Sequence, residues 1–168
     1  MYAQTKLAGE KEVAQLSNHL VARANIFGFN AQPKVCFAER VINEAKAKTI
    51  KGFTDSFFSS LYTFDFAELL DAAIGKDLKG IYHFGSSTSL SRYDFADTLA
   101  QKLGYGKDLI APLSIKEFAF KARRSPDLSL NVEKLQQATG IRIPTAKETI
   151  DHFVKDYKNE IHSSLRAS

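Results

Sequence analysis

Helical segments alternate with short apolar runs along this chain, and that alternation restricts its fold more than any other feature of the sequence. The apolar runs at residues 20–27, 49–53 and 80–84 have the length and residue types of buried strands. A helical segment follows each of them. Alternation of this kind predicts an α/β protein.

Seven helices are predicted, and four of them begin at a side chain that can cap a first turn. Ser91, Ser114, Asn131 and Thr145 precede these helices, and all but Asn131 have an acid three residues later, the spacing of a capping box. The predicted helices are residues 2–18, 33–48, 64–74, 91–103, 114–122, 131–140 and 145–161, with an extended or irregular segment at 57–62 and a loop at 123–130.

The charge pattern argues against a nucleic-acid-binding protein. The net charge is only +4 over 168 residues, and lysines and arginines are interleaved with acids rather than gathered into a stripe. Lys121, Arg123 and Arg124 form the nearest thing to a basic cluster, which is enough for one or two phosphates but not for a duplex. We expect no nucleic-acid partner.

Cysteine, histidine and apolar content exclude further classes of protein. Cys36 is the single cysteine, so the chain can form neither an internal disulfide nor a cysteine-cluster metal site. His83 lies inside an apolar strand and the other histidines lack ligand spacing, so no metal is predicted. Because no apolar run approaches the ~20 residues of a membrane span, we expect no membrane partner. The N-terminus also lacks a signal-peptide pattern, and a cytoplasmic location is expected.

Tyr2 and Lys6 form a pair with possible acid–base chemistry. They are four residues apart in a predicted helix, on which Leu7, Val13 and Leu16 would supply the apolar side. A nearby ammonium lowers the pKa of a phenol, which is ordinarily about 10. Such a pair suits reduction of a carbonyl or oxidation of an alcohol. A Tyr-x-x-x-Lys spacing is also short and common, so a surface coincidence is the alternative.

Five stretches, in order, carry patterns shared with a known family. Residues 2–10 (Tyr-Ala-Gln-Thr-Lys-Leu-Ala-Gly-Glu), 23–30, 53–67, 80–96 and 121–131 match its active-site helix, two loop segments, last core strand and C-terminal loop. The chain thereby resembles the extended short-chain dehydrogenases/reductases, and most closely their dTDP-4-dehydrorhamnose reductase branch.

The resemblance assigns roles to individual residues. Tyr2 would donate a proton to the substrate ketone, and Lys6 would activate it and hold the nicotinamide ribose, so both would also bind the cofactor, NADP or NAD. Asn25 would lie beside the substrate or nicotinamide, unless it is only a turn residue. Arg124, and with it Arg123, would grip the diphosphate of a nucleotide sugar, unless these are solvated loop residues.

The resemblance also implies a divided architecture within residues 1–168, a single truncated domain. Residues 2–30 and 63–104 would be the C-terminal part of a Rossmann-type parallel sheet with its helices. Residues 31–62 and 105–161 would form a small mixed α/β substrate-binding region. The family's Gly-x-x-Gly-x-x-Gly turn, which cradles the cofactor pyrophosphate, does not occur in the sequence. We therefore expect the isolated chain to be inactive.

The expected function is that of the C-terminal half of an NAD(P)-dependent nucleotide-sugar reductase that reduces a 4-keto sugar. One alternative is a non-catalytic binding or regulatory subunit of the same fold. Another is a nucleotide-sugar epimerase or dehydratase, since those enzymes use the same tyrosine and lysine. The expected partners are a nucleotide-sugar substrate and either a second copy, through the helix that carries Tyr2 and Lys6, or a missing N-terminal half.

Overall fold

The computed structural model describes residues 2–30, 35–45, 50–106, 109–120, 122 and 124–159, with only the backbone at position 2. Its helices are α1 (Tyr2–Val13), α2 (Phe37–Ala45), α3 (Thr63–Gly75), α4 (Arg92–Lys102), α5 (Glu133–Thr139) and α6 (Ala146–Lys158). Its strands are β1 (Leu20–Ala24), β2 (Ile26–Phe27), β3 (Ile50–Phe53), β4 (Phe57–Phe58), β5 (Leu61–Tyr62), β6 (Gly80–Phe84), β7 (Leu90–Ser91), β8 (Ile110–Leu113) and β9 (Asp127–Leu128). A 3₁₀ turn spans Ile115–Glu117.

Parallel pairing dominates the strands, which confirms the predicted α/β fold class. β1 pairs with β6 over five residues, β3 with β8 over four, and β2 with β5 over two, all parallel. The central strand of the remaining small sheet, β4, pairs antiparallel with β7 and parallel with β9. Parallel neighbours need crossover connections, and helices supply these here.

Asn25 separates β1 from β2, which the sequence predicts as one strand over residues 20–27. Its N–H donates to Phe84 O at the end of β6 (3.4 Å), and its carbonyl accepts from Leu61 N at the start of β5 (2.9 Å). The chain therefore changes partner strands at this residue, and the break in the predicted strand is the result.

Two apolar clusters form the core. The larger one packs α2, α4 and α6 around aromatic rings. Phe27 and Phe95 meet edge to face at its centre, with ring centroids 4.9 Å apart. The smaller cluster joins α3 and α5 to β6 through Leu69, Leu135 and Phe84, each 0–2% exposed. The larger cluster supports one wall of the cavity described below.

The prediction of an apolar side on the first helix is wrong. α1 ends at Val13 rather than at residue 18, and Leu7, Val13 and Leu16 are 47%, 40% and 62% exposed. Their spacing does not form a stripe at helical period, so the helix gathers no single apolar face. Its described contact with β1 is an ion pair, in which the Arg23 guanidinium donates to both carboxylate oxygens of Glu10 at 2.9 and 2.6 Å.

Other helix boundaries differ from the predictions by a few residues. α2 begins at Phe37, and Pro33, its predicted first residue, lies outside the described residues. The segment predicted as a helix over 114–122 is only the 3₁₀ turn, because its capping box closes a single turn. The predicted loop at 123–130 contains β9. By contrast, the capping boxes predicted the starts of α4 and α6 correctly, with Ser91 and Thr145 as N-caps.

None of the helices within the described ranges combines the length and apolar character that a bilayer crossing requires.

Candidate functional site

A cavity of about 700 Å³ opens beside the larger core cluster. α2 and β3 form one side of it, and the chain that follows β8 forms the other. The start of α4 and the chain from residue 124 to β9 complete it. Its lining residues are Phe37, Arg40, Val41, Glu44, Ile50, Lys51, Phe53, Ser56, Arg92, Leu113, Ile115, Phe118, Phe120, Arg124, Ser125 and Leu128. The size is within the range of small-ligand sites.

Arg92 places a desolvated positive charge in this cavity. It is the first residue of α4, and its N–H donates to Ser56 O at 2.9 Å. The guanidinium lies over the rings of Phe58 and Phe37, 5.0 and 5.4 Å from their centroids. Burial, and then the charge of Arg124, lower the pKa of Arg92.

Arg124, predicted to bind a diphosphate, lines the same cavity. Its guanidinium lies 6.0 Å from the centroid of Phe120. No carboxylate of the described residues forms an ion pair with Arg92 or Arg124. Two guanidinium groups that repel each other beside an apolar surface favour an anionic ligand. Arg123 lies outside the described residues.

The other charged side chains of the cavity are either paired with each other or exposed to solvent. Arg40 donates to Glu44 at 2.9 Å, one helical turn away on α2, so this pair adds little net charge. Lys51 is exposed on β3. The positive field inside the cavity therefore comes mainly from Arg92 and Arg124.

Phe53, Phe118 and Phe120 form an aromatic wall on one side of the cavity. The rings of Phe118 and Phe120 are 4.6 Å apart, and each lies 5.6–5.8 Å from the ring of Phe53. Phe118 is 50% exposed. A half-exposed ring beside two arginines suits a ligand that is flat at one end and anionic at the other.

Asp55 fixes the backbone at the start of the segment that carries this wall. Ser114 Oγ donates to one carboxylate oxygen at 2.6 Å and Ile115 N to the other at 2.7 Å. The Ile115 N–H, followed by the Ser114 hydroxyl, lowers the pKa of Asp55. The carboxylate itself does not line the cavity.

Tyr2 and Lys6 lie one helical turn apart on α1, and Lys6 does not line the cavity. Lys6 is exposed. The ion pair between Glu10 and Arg23 joins α1 to β1, two positions before Asn25.

Asn25 lies at the strand switch and not in the cavity. Its backbone is held by β6 and β5, and its carbonyl also accepts from Ser60 Oγ at 3.2 Å. The structure thus brings one predicted site residue, Arg124, to the cavity and leaves Lys6 and Asn25 outside it.

Asp65 and His152 form a further polar cluster, which joins α3 to α6. Asp65 is buried and accepts hydrogen bonds from the Thr149 hydroxyl and from His152 Nδ1, the latter at 2.7 Å. Tyr62 N donates to Thr149 Oγ1 at 2.7 Å. The cluster thus ties α3 to α6. The described residues contain no group of three or more His, Cys, Asp or Glu that could hold a metal ion.

Sequence reasoning missed Arg92, the aromatic wall and the role of Asp55. The capping box at Ser114 was one available signal, because it fixes a turn between residues of β8 and the two phenylalanines. Arg92 follows an N-cap serine and resembles any exposed first-turn residue. Only the fold brings it to Arg124.

Comparison with known proteins gives consistent matches. The family model for the RmlD substrate binding domain matches residues 1–159. A dTDP-4-dehydrorhamnose reductase of Aggregatibacter actinomycetemcomitans is 27% identical over 154 residues, which cover 84% of this chain and 52% of that protein.

Two solved structures share the fold. A dTDP-4-dehydrorhamnose reductase of Clostridium acetobutylicum is 25% identical with a TM-score of 0.83, covering 94% of this chain and 55% of that one. The Bacillus anthracis enzyme in complex with NADP is 23% identical with a TM-score of 0.83, covering 92% and 55%. This chain therefore spans about half the length of the relatives it matches.

The family model covers nearly the whole chain, and the fold matches the C-terminal part of these reductases, as the sequence patterns predicted. The chain belongs to the RmlD substrate binding domain family.

Proposed function

We propose that this chain is the substrate-binding part of an NAD(P)-dependent nucleotide-sugar reductase of the dTDP-4-dehydrorhamnose reductase type, which reduces a 4-keto sugar. The observation that carries the proposal is the cavity in which Arg92 and Arg124 meet without a described carboxylate partner. A diphosphate carries enough anionic oxygens to accept hydrogen bonds from both guanidinium groups.

The cavity offers the ligand two kinds of surface, one charged and one aromatic. Arg92 and Arg124 bind the phosphate oxygens, because a planar guanidinium matches phosphate in both charge and donor geometry. The aromatic wall of Phe53, Phe118 and Phe120 contacts the flat base. Burial of Arg92 strengthens its attraction for phosphate, since less water screens the charge.

Tyr2 and Lys6 are proposed as the acid–base pair of the complete enzyme. In this role the Lys6 ammonium favours the phenolate of Tyr2, so the phenol becomes a better proton donor to the ketone oxygen. Arg23, two positions before Asn25, is joined to Glu10 of the same helix, and Asn25 is proposed to lie beside the substrate. Arg123 is proposed to add to the phosphate contacts of Arg124.

The residues of this chain are not sufficient to hold a nicotinamide dinucleotide. Lys6 could bind a ribose hydroxyl, but the sequence has no Gly-x-x-Gly-x-x-Gly turn to cradle a pyrophosphate. We therefore propose that the chain alone binds the cofactor weakly or not at all and is inactive. Titration with NADPH tests this, and micromolar affinity would contradict it.

Calorimetric titration of the chain with dTDP tests the substrate site. Replacing both arginines, Arg92→Leu with Arg124→Leu, is expected to weaken dTDP binding by at least tenfold, since hydrogen bonds to charged groups are worth about 1.5–3 kcal/mol each. Lys76→Leu with Lys79→Leu is the matched control: it also removes two positive charges, from exposed residues outside the cavity, and should leave affinity unchanged. Equal affinity in the double variant would refute the site.

A non-catalytic binding subunit is the second candidate, favoured by the position of Lys6 outside the cavity. The two functions share the nucleotide site and differ at Tyr2. Loss of reductase activity on Tyr2→Phe in a complex with a cofactor-binding partner favours the enzyme. Full activity of that variant favours the subunit. Epimerase or dehydratase chemistry would show instead as a changed product.

A homodimer through α1 is also proposed. Side chains 3–9 of this helix are exposed, Leu7 among them, and so is Val13 at its end. Light scattering should give twice the chain mass, and Leu7→Glu with Val13→Glu should give the monomer mass. A monomeric wild-type chain would exclude this interface.

A further inference from the structure

The segment that carries two rings of the aromatic wall is hydrogen-bonded at its start to one carboxylate outside the cavity. Two of the three rings, Phe118 and Phe120, belong to the chain after β8, and the third, Phe53, ends β3. The last backbone hydrogen bond of this strand pair runs from Thr54 N to Leu113 O at 3.0 Å. Beyond it, Asp55 makes the described hydrogen bonds that join the two segments.

We propose that Asp55 is a positioning residue for the base of the nucleotide: by holding Ser114 and Ile115, it keeps Phe118 and Phe120 against Phe53. The proposal rests on the proposed function and adds to it. Asp55 acts on the flat part of the ligand through the wall, whereas Arg92 and Arg124 act directly on the phosphates.

The geometry favours Asp55 over the other groups near the turn. Glu117 accepts from Ser114 N at 2.8 Å, but this bond lies within the turn and ties it to nothing else. The carboxylate of Asp55 comes from the opposite segment and takes both of its bonds at the first residues of the turn. Only two residues separate Ile115 from Phe118, so the hydrogen bond of the carboxylate to Ile115 restricts the position of the Phe118 ring.

Charge supports the same assignment. The Ile115 N–H and the Ser114 hydroxyl lower the pKa of Asp55, so the carboxylate is charged at neutral pH and both hydrogen bonds are charge-assisted. Phe118, which is 50% exposed, packs on Phe53 and Phe120 but has little other cover. Without the carboxylate, water competes for Ser114 and Ile115, and the wall loses its fixed distance from the arginines.

Comparing the affinities of Asp55→Ala for two ligands distinguishes a disturbed aromatic wall from a disturbed phosphate site. We expect dTDP affinity to fall about fivefold to tenfold, the range of one lost aromatic contact, while inorganic pyrophosphate binding changes less than twofold. Asp97→Ala is the control, because it also removes an aspartate charge, from α4 and outside the cavity. Ser114→Ala, which removes one of the two bonds, should give a smaller loss of dTDP affinity.

A tryptophan probe reports the wall without any ligand. The chain has no tryptophan, so Phe118→Trp places a single tryptophan there, whose emission can be excited selectively over that of the tyrosines. Adding Asp55→Ala should shift its emission to the red as the ring becomes more exposed, and Asp97→Ala should not.

Three results are informative. Weaker dTDP binding with retained pyrophosphate binding, and a red shift, support the role of Asp55. Wild-type dTDP affinity in Asp55→Ala, or an unshifted emission, overturns that role and leaves the proposed function intact. A wild-type chain that binds neither dTDP nor pyrophosphate overturns both. If Asp55→Ala does not fold, as judged by circular dichroism, Ser114→Ala is measured in its place, with the same deciding outcomes.

Discussion

At the scale of single residues, the cavity depends on groups whose neighbours determine their properties. The Arg92 guanidinium lies over two aromatic rings, and its pKa is lowered by burial and by the charge of Arg124. No carboxylate of the described residues neutralises it, so the charge is available to a ligand.

Gly52, in the middle of β3, allows the strand to approach α4 closely. A Cβ there would lie 2.8 Å from Tyr93 Cα and 2.9 Å from Ile110 Cγ2.

The close approach at Gly52 leads to a prediction about stability. Gly52→Ala should destabilise the chain by about 1–3 kcal/mol, because backbone atoms of α4 must move to make room. Gly9→Ala is the control: nothing lies within 4 Å of its Cβ, and alanine in a helix should stabilise by about 0.5–1 kcal/mol. Urea unfolding measures both. An unchanged midpoint for Gly52→Ala would contradict the packing described for β3 and α4.

At the scale of elements, side-chain caps determine where α4 and α6 start. The best defined cap is at α6. Thr145 and Glu148 form a capping box there, and Arg142 donates to both Glu148 oxygens at 2.8–3.0 Å. Arg142 first, and then the N–H and hydroxyl of Thr145, lower the pKa of Glu148 to about 2. α6 packs on α4 and β5, so its first turn affects the larger core cluster.

This cap should make stability depend on pH in the acid range. The folded pKa of Glu148 is depressed, so its contribution is complete above the ordinary value of about 4.5 and is lost as pH falls toward 2. The Tm of wild type should therefore fall more steeply between pH 5 and pH 2 than the Tm of Glu148→Gln, which keeps the hydrogen-bond acceptor but does not titrate. Parallel Tm curves would exclude this role.

Local signals in the sequence predicted elements well and contacts poorly. β6 has the predicted bounds, and the caps Ser91 and Thr145 were found, because these depend on neighbours in sequence. The break at Asn25 was missed because it arises from two strands, β6 and β5, which are distant in sequence. α1 was extended too far because its apolar residues were assumed to be buried.

The candidate site was predicted only in part, for the same reason. Arg124 was identified from a loop pattern, and the structure places it in the cavity. Arg92, 32 positions earlier, carries no signal of its own, and its role depends on the fold that brings α4 to the loop. The aromatic wall likewise combines residues of β3 with residues that follow β8.

At the scale of the whole molecule, the chain combines a partial parallel sheet with a cavity outside it. The pair β1–β6 and the helix α1 carry the positions expected to perform chemistry, while β3, β8 and the chain after them form the cavity. Under the proposed function, the cavity binds the nucleotide sugar and the other region acts on the sugar.

A crystal structure of the chain with dTDP tests the central claim most directly. The account predicts that the phosphate oxygens lie within hydrogen-bond distance of Arg92 and Arg124, with the thymine ring against Phe53, Phe118 or Phe120. Density for dTDP elsewhere on the chain, or an empty cavity at saturating dTDP, would contradict it.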